Sequence, residues 1–251
     1  MAPQAADRLR LDQLLVERGF FESRARARDA VLRGTVLVRG TPAEKPGQLV
    51  AADSEISVDD PARNYVSRAA LKLIHGLDAF RLDPKGARAL DIGASTGGFT
   101  QVLLERGAAH VTAIDVGSGQ MDPKLRSDPR VTCLEGVNAR YLTREMVGCH
   151  RPDFLVSDVS FISLRLALPP ALAMAQEGAR GLFLVKPQFE AGREALGKGG
   201  ILRDLDKAQE IAEAMARWLE TNPGWWLIGL VPSPIDGGDG NREFLLAGQK
   251  K

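Results

Sequence analysis

Two lysines and two carboxylates stand where simple packing does not ask for them. Lys72 lies in Ser67-Arg68-Ala69-Ala70-Leu71-Lys72-Leu73, and Asp158 closes Phe154-Leu155-Val156-Ser157. Lys186 closes Phe183-Leu184-Val185, and Glu243 opens the run into Phe244-Leu245-Leu246. A lysine at the end of an apolar strand is unusual, because lysine is seldom buried without a partner. Singly, each of the four fits a structural role. Together on one rim, they fit proton transfer. A lysine becomes a base when burial and a neighbouring cation lower its pKa. A weakly acidic hydroxyl, such as a ribose 2′-hydroxyl, needs its proton removed and its oxygen aimed before it can attack. In that reading the catalytic set is Lys186 as base, Lys72 as neighbouring cation, and Asp158 and Glu243 orienting the amines and balancing charge.

The reagent is suggested by Asp91-Ile92-Gly93-Ala94-Ser95-Thr96-Gly97-Gly98-Phe99-Thr100. Apolar residues run into an acid, a glycine-rich turn follows, and a helical pattern begins at Phe99. Val111-Thr112-Ala113-Ile114-Asp115 then reads as a second strand ending in a carboxylate. Dinucleotide-binding folds also place an acid roughly 20 residues after a glycine-rich turn, so the turn alone is weak evidence. Three details favour S-adenosylmethionine over NAD. Asp91 precedes the first glycine, where a pyrophosphate would be repelled. The turn departs from the regular G-x-G-x-x-G spacing. Asn138 follows the third strand, where an adenine edge can be met. The expected cofactor residues are Asp91, Gly93, Ser95, Thr96, Gly97, Gly98, Phe99, Asp115, Asn138 and Asp158, with Asp115 on the ribose hydroxyls. A sulfonium is already an activated leaving group, so no metal is expected.

Alternating elements must hold these residues. Strands are expected at 88–92, 110–115, 131–134, 154–158, 181–186, 226–232 and 243–247, with helical patterns between most of them. Such alternation predicts an α/β fold, a Rossmann-like and largely parallel sheet with helices on both faces. Ligands in such sheets bind at the carboxyl ends of the strands, where Gly93, Asp115, Asn138, Asp158 and Lys186 would all stand.

Residues 8–60 differ in character. Leu11, Leu14 and Leu15 recur at helical spacing, and Gly19 can end that helix. Ser23 is a suitable N-cap for a second helix that runs to about Gly34. On it Ala27, Ala30 and Val31 make a narrow apolar face flanked by Arg24 and Arg28 on one side and Arg26 and Arg33 on the other. Residues 35–39 read as a strand and Gly40-Thr41-Pro42 as its turn. The arginines form either a solvated helix face or a phosphate-contacting surface, whose planar donors suit phosphate oxygens. The order of these elements resembles the S4 RNA-binding domain, a small α+β module. The resemblance implies binding to structured RNA; the candidate contacts, read from the arginine pattern itself, are Arg8, Arg10, Arg24, Arg26, Arg28, Arg33 and, beyond the module, Arg68. Polar, proline-containing residues 61–66 are expected to link this domain (1–60) to the catalytic domain (67–251).

The bulk properties exclude several classes. The chain has 251 residues and a formal net charge of +1, so any nucleic-acid footprint is local. Cys133 and Cys149 are too few for a disulfide framework. Residues 1–7 show no secretory signal, and no apolar run reaches the ~18 residues of a membrane span. A cytoplasmic, monomeric enzyme is expected, with no membrane partner. Arg193, Lys198 and Arg203, among several glycines, make either a basic flap over RNA or a solvated loop.

The Lys72–Asp158–Lys186–Glu243 order resembles the tetrad of FtsJ-type ribose 2′-O-methyltransferases. Combined with the N-terminal module, it is similar to the TlyA family, also called hemolysin A. Matching strings include Val66-Ser67-Arg68, the Asp91–Thr100 turn, Glu135-Gly136-Val137-Asn138-Ala139-Arg140, Asp158-Val159-Ser160-Phe161-Ile162-Ser163 and Val185-Lys186-Pro187-Gln188-Phe189-Glu190. The pattern departs at Ser118, Pro123, Asn64-Tyr65 and Ala70-Leu71, where aromatic residues are expected in part. The resemblance implies cytidine 2′-O-methylation of ribosomal RNA (23S, and in some members 16S), with S-adenosylmethionine as cofactor and ribosomal RNA or subunits as partner. Two other readings stand beside it: a non-catalytic ribosome-assembly factor, and a hemolysin, for which no pore-forming amphipathic segment is seen.

Overall fold

The computed structural model describes residues 8–251 apart from 149, 193–195, 198–199, 203 and 239. Cys149, Arg193, Lys198 and Arg203 therefore lie outside the described residues. The chain forms two compact units, residues 1–64 and 65–251.

The first unit runs β1 (Arg8–Arg10), α1 (Leu11–Glu17), α2 (Arg24–Leu32), β2 (Val36–Val38), β3 (Thr41–Pro42), β4 (Leu49–Ala51) and β5 (Ile56–Val58). Leu11, Leu14 and Leu15 of α1 meet Ala27, Ala30 and Val31 of α2 in its core. Ser23 caps α2 by accepting from the Arg26 amide, and Gly19 and Gly34 follow the helices with positive φ. Arg39 (φ 52°) and Gly40 (φ 75°) are both left-handed, as a two-residue hairpin turn of right-twisted strands requires. The turn is thus Arg39–Gly40, and Thr41–Pro42 is not part of it but a returning strand paired with Leu37 and Val38. Pro42 is tolerated there because β3 is an edge strand.

The division between the units falls after Asn64. On one side the Arg26 guanidinium donates to the Ala62 and Arg63 carbonyls. On the other, the Val66 amide donates to Gln101 at 2.9 Å. Asn64 and Tyr65 belong to different units.

The second unit runs α3 (Ala70–Ala79), β6 (Arg88–Ile92), α4 (Gly98–Glu105), β7 (His110–Asp115), α5 (Pro123–Arg126), β8 (Val131–Glu135), α6 (Arg144–Val147), β9 (Phe154–Ser157), α7 (Leu164–Ala167), α8 (Pro169–Met174), β10 (Arg180–Val185), α9 (Pro187–Glu190), α10 (Leu205–Glu220), β11 (Trp225–Pro232) and β12 (Phe244–Lys250). One sheet takes the order β11-β12-β10-β9-β6-β7-β8. Strands β6 to β10 are mutually parallel, whereas β12 is antiparallel to both β10 and β11. The near-continuous apolar runs of β9 and β10 follow from burial on both sheet faces. On α10, Ala208, Ala212, Met215, Ala216 and Leu219 recur at helical spacing and are buried.

This order locates the site. From β6 the chain winds one way to β7 and β8 and the other way to β9 and β10. The crevice beyond the carboxyl ends of β6 and β9 is therefore the topological switch point, where open α/β sheets bind ligands.

Candidate active site

The glycine-rich turn leaves β6 at the switch point. Gly93 has φ 85°, and a Cβ there would lie 3.0 Å from the Asp158 carbonyl oxygen. Only glycine lets the backbones after β6 and β9 approach this closely. Asp115, at the end of β7, clamps two loops: Oδ2 accepts from the Ser95 amide at 2.8 Å, and Oδ1 from the Gly117 amide at 2.7 Å. Each oxygen retains a lone pair for a further donor. Asn138 Oδ1 accepts from the Arg140 amide, which leaves its amide NH2 for a ligand.

These groups line one cleft of about 1030 Å³, bordered by Gly93, Ser95, Asp115, Val116, Asn138, Asp158, Ser160, Phe161 and Phe189. A smaller lobe of about 150 Å³ adds Ser67, Thr96, Gly98, Phe99 and Lys186. Gly93, Ser95, Asp158 and Ser160 border both. At the other end of the strands, a hollow of about 250 Å³ beside Arg88 and His110 lies away from the switch point.

Two expected cofactor contacts do not reach the cleft. Gly97 (φ 97°) starts α4 packed against Leu125 and Met121, where a Cβ has no room; its role is steric. Asp91 is 0% exposed. Its Oδ2 accepts from Thr100 Oγ1 at 2.7 Å, while Oδ1 has no partner. Burial pushes its carboxyl up to about 7 despite the Thr100 hydrogen bond, and the charges of Asp158 and Asp115 push the same way. Asp91 is buried beneath the turn and does not border the cleft.

The four acid–base residues form two ion pairs. Lys186 Nζ lies 2.7 Å from Asp158 Oδ1 and donates to Ser160 Oγ at 2.7 Å. Lys72 Nζ donates to Glu243 Oε2 at 2.5 Å, with both side chains almost fully buried. Gly237 leaves the space that Glu243 Oε1 occupies. Burial raises the Glu243 pKa above the usual carboxylate range, against the pull first of Lys72 and then of Lys186. Glu243 thus feels both amines. The structure brings all four residues together, with Asp158 and Lys186 at the cleft wall and Lys72 and Glu243 beneath it.

Sequence reasoning gave no role to Ser160, Thr100 or Asn241. Ser160 follows Asp158 by two positions around buried Val159, the alternation that puts two side chains on one side of an extended segment. Asn241, 2% exposed, accepts from the Leu202 amide at 2.9 Å next to Glu243. Phe161 has φ 64° and is 91% exposed. Its ring lies 5.2 Å from that of Phe189. A bulky residue held left-handed in solvent is a strained arrangement. Of the departures from the family pattern, Ser118 and Pro123 are exposed and Ala70 is buried.

The expected RNA contacts divide. Arg28 is exposed. Arg8 donates to the Leu49 carbonyl. Arg10 and Arg24 share the nearly buried Asp12 and stay about half exposed. Arg10, then burial opposing it, then Arg24 set the Asp12 pKa, which falls to about 2. Arg26 is partly spent on backbone carbonyls. Arg33 is not a surface contact: its side chain is 14% exposed, and it bonds Asp29 and Asp60, each at 2.8 Å. Arg68 belongs to the second unit, beside Gly238. Among the described residues there is no cluster of three or more metal-ligating side chains, and no helix is long and apolar enough to cross a membrane.

A doubly wound sheet with its last strand reversed, and a crevice at the switch point walled by the Asp158–Lys186 ion pair, defines a methyltransferase-type domain. Residues 65–250 match the FtsJ-like methyltransferase family and residues 9–56 match the S4 domain. The 16S/23S rRNA (cytidine-2'-O)-methyltransferase TlyA of Mycobacterium tuberculosis is 46% identical over 96% of this chain and 90% of its own. Hemolysin A of Brachyspira hyodysenteriae is 38% identical over 94% of this chain and 98% of its own. A solved Streptococcus thermophilus protein with a provisional hemolysin name superposes with a TM-score of 0.75 at 40% identity, covering 98% of this chain and 90% of that one. The chain belongs to the TlyA family of FtsJ-like methyltransferases.

Proposed function

We propose that this protein methylates the ribose 2′-hydroxyl of a cytidine in ribosomal RNA, in the large subunit and in the manner of its mycobacterial relative also in the small one. The observation that carries the reading is the Lys186 amine, held 2.7 Å from Asp158 on the cleft wall. S-adenosylmethionine suits the cleft: Asp115 and Asn138 offer polar groups for the ribose and adenine, and Gly93 and Ser95 border the space between. When bound, this cofactor would supply a methyl group activated by its sulfonium, with a neutral thioether as the leaving group. Lys186 takes the proton from the ribose hydroxyl, and Asp158 holds the amine and offsets its charge. The Lys72–Glu243 pair fixes the floor beneath. Phe161 and Phe189 give the unstacked base an aromatic wall. The N-terminal unit supplies exposed arginines for RNA phosphates, and a ribosomal substrate favours a cytoplasmic location.

Ribose methylation mapped by mass spectrometry on rRNA from a deletion strain checks this reading. Native protein restores a cytidine 2′-O-methyl group, and Lys186→Ala does not. A deletion strain that has lost no such group sinks the activity. Full restoration by Lys186→Ala sinks the assignment of the base.

A further inference from the structure

The geometry points to Ser160 as a positioning residue that, together with Asp158, aims the lone pair of the Lys186 amine at the acceptor hydroxyl. The inference rests on Lys186 being the base. A neutral primary amine has two N–H donors and one lone pair, and rotation about its last carbon–nitrogen bond sweeps the lone pair through every direction. A single acceptor holds one donor and leaves the other donor and the lone pair to exchange places. One hydrogen bond together with a close anion restricts that rotation and narrows the directions open to the lone pair.

Lys186 has one hydrogen-bond acceptor, Ser160, and one close anion, Asp158, whose Oδ1 lies beside the amine outside hydrogen-bond geometry. Asp158 Oδ1 and Ser160 Oγ each lie 2.7 Å from Nζ. They leave β9 on the same extended segment, while Val159 between them turns inward and is 9% exposed. Ser160 borders both lobes of the cleft and Lys186 the smaller one, so the amine and its hydrogen-bond partner stand together at the cleft wall. In the step itself, the acceptor O–H bond breaks and an N–H bond forms at Nζ. The oxygen keeps the electron pair with which it attacks. The new ammonium keeps its hydrogen bond to Ser160 and its ion pair with Asp158, and the new N–H takes the place of the lone pair. Nothing else in the site has to move.

Phe161, the next residue, is held at φ 64°. Beyond it Ser163 Oγ donates to Glu190 Oε2 at 2.5 Å, and the Leu164 amide donates to Glu190 Oε1 at 2.7 Å. Glu190 lies on α9, which starts immediately after Lys186. The segment that carries Ser160 is thereby tied to the element that carries Lys186, so the Ser160–Lys186 contact is held at both ends.

The test is single-turnover methylation of ribosomal subunits by the full-length chain with labelled S-adenosylmethionine, across a range of pH. Ser160→Ala is expected to slow the step about 10- to 100-fold, the scale of a misaimed reacting group. The concentrations that half-saturate each substrate stay unchanged. The midpoint of the pH–rate profile moves to lower pH, because the ammonium has lost one acceptor. Ser160→Thr, which keeps the hydroxyl, recovers most of the rate. A native rate in Ser160→Ala, or a loss confined to half-saturation, overturns the inference. A loss with an unmoved pH midpoint that threonine does not restore also overturns it. Lys186→Ala separates the two levels. If it is inactive while Ser160→Ala is native, only the role of Ser160 falls. If Lys186→Ala is itself native, the base reading falls with it.

Discussion

Asp91 shows how a residue matters without bordering the cleft. It is fully buried with one oxygen unpaired, and burial raises its carboxyl from 3.8 to about 7. The folded chain therefore holds this proton more tightly than the unfolded chain does. The stability this contributes is complete below the unfolded value near pH 4 and is lost as pH rises through about 7. Asp91→Asn mimics the protonated acid and can still accept from Thr100. In the ligand-free protein, urea denaturation should find the variant more stable than native by about 1–3 kcal/mol at pH 8, and little different at pH 4. Parallel stability–pH curves for the two proteins would refute the assignment. Asp91 was legible as an acid before a glycine, but its burial was not, because burial depends on which helix covers the strand end. Lys72 and Glu243 pose the same problem from 171 residues apart in sequence. Each looked like a possible site group, and only folding shows them as one buried pair whose charges answer each other. Removing one partner of such a pair costs about 3–5 kcal/mol, so loss of activity in a Lys72 variant does not by itself show contact with substrate.

At the level of elements, the arginine-rich α2 carries two kinds of arginine that its sequence pattern does not separate. Arg28 faces solvent. Arg33 turns inward to Asp29 and Asp60. Arg28→Ala should lower the salt dependence of rRNA binding by about one unit of slope and leave folding intact. Arg33→Ala should destabilise the N-terminal unit by about 3 kcal/mol, because it strands the Asp60 carboxylate, whose side chain is 2% exposed. Filter binding across salt concentrations and thermal denaturation of both variants decide this; equal effects would mean that burial does not sort them. The strands were readable to within a residue or two over most of the sheet because apolar runs and alternation report burial directly. The misplaced hairpin turn at Arg39–Gly40 has a physical cause: Pro42 reads as a breaker, yet an edge strand needs no amide from it.

The whole molecule joins two units with separate cores, one around α1 and α2 and one on both faces of the seven-stranded sheet. Residues 65–251, expressed alone, should fold and bind S-adenosylmethionine, while their affinity for rRNA falls and its salt dependence becomes shallower. Calorimetric titration with the cofactor and binding to subunits check both halves, and undiminished rRNA affinity would deny the first unit its proposed role. The sequence by itself determined the elements, their alternation and the residue types at the strand ends. These are local matters of periodicity, turn chemistry and the cost of placing a lysine beside apolar neighbours. Tertiary structure alone decided that β12 runs backward between β10 and β11, that β6 and β9 form the switch point, and that Ser160 shares the Lys186 amine with Asp158. Those outcomes depend on which distant segments pair and on what volume remains between them, and no local pattern carries that information.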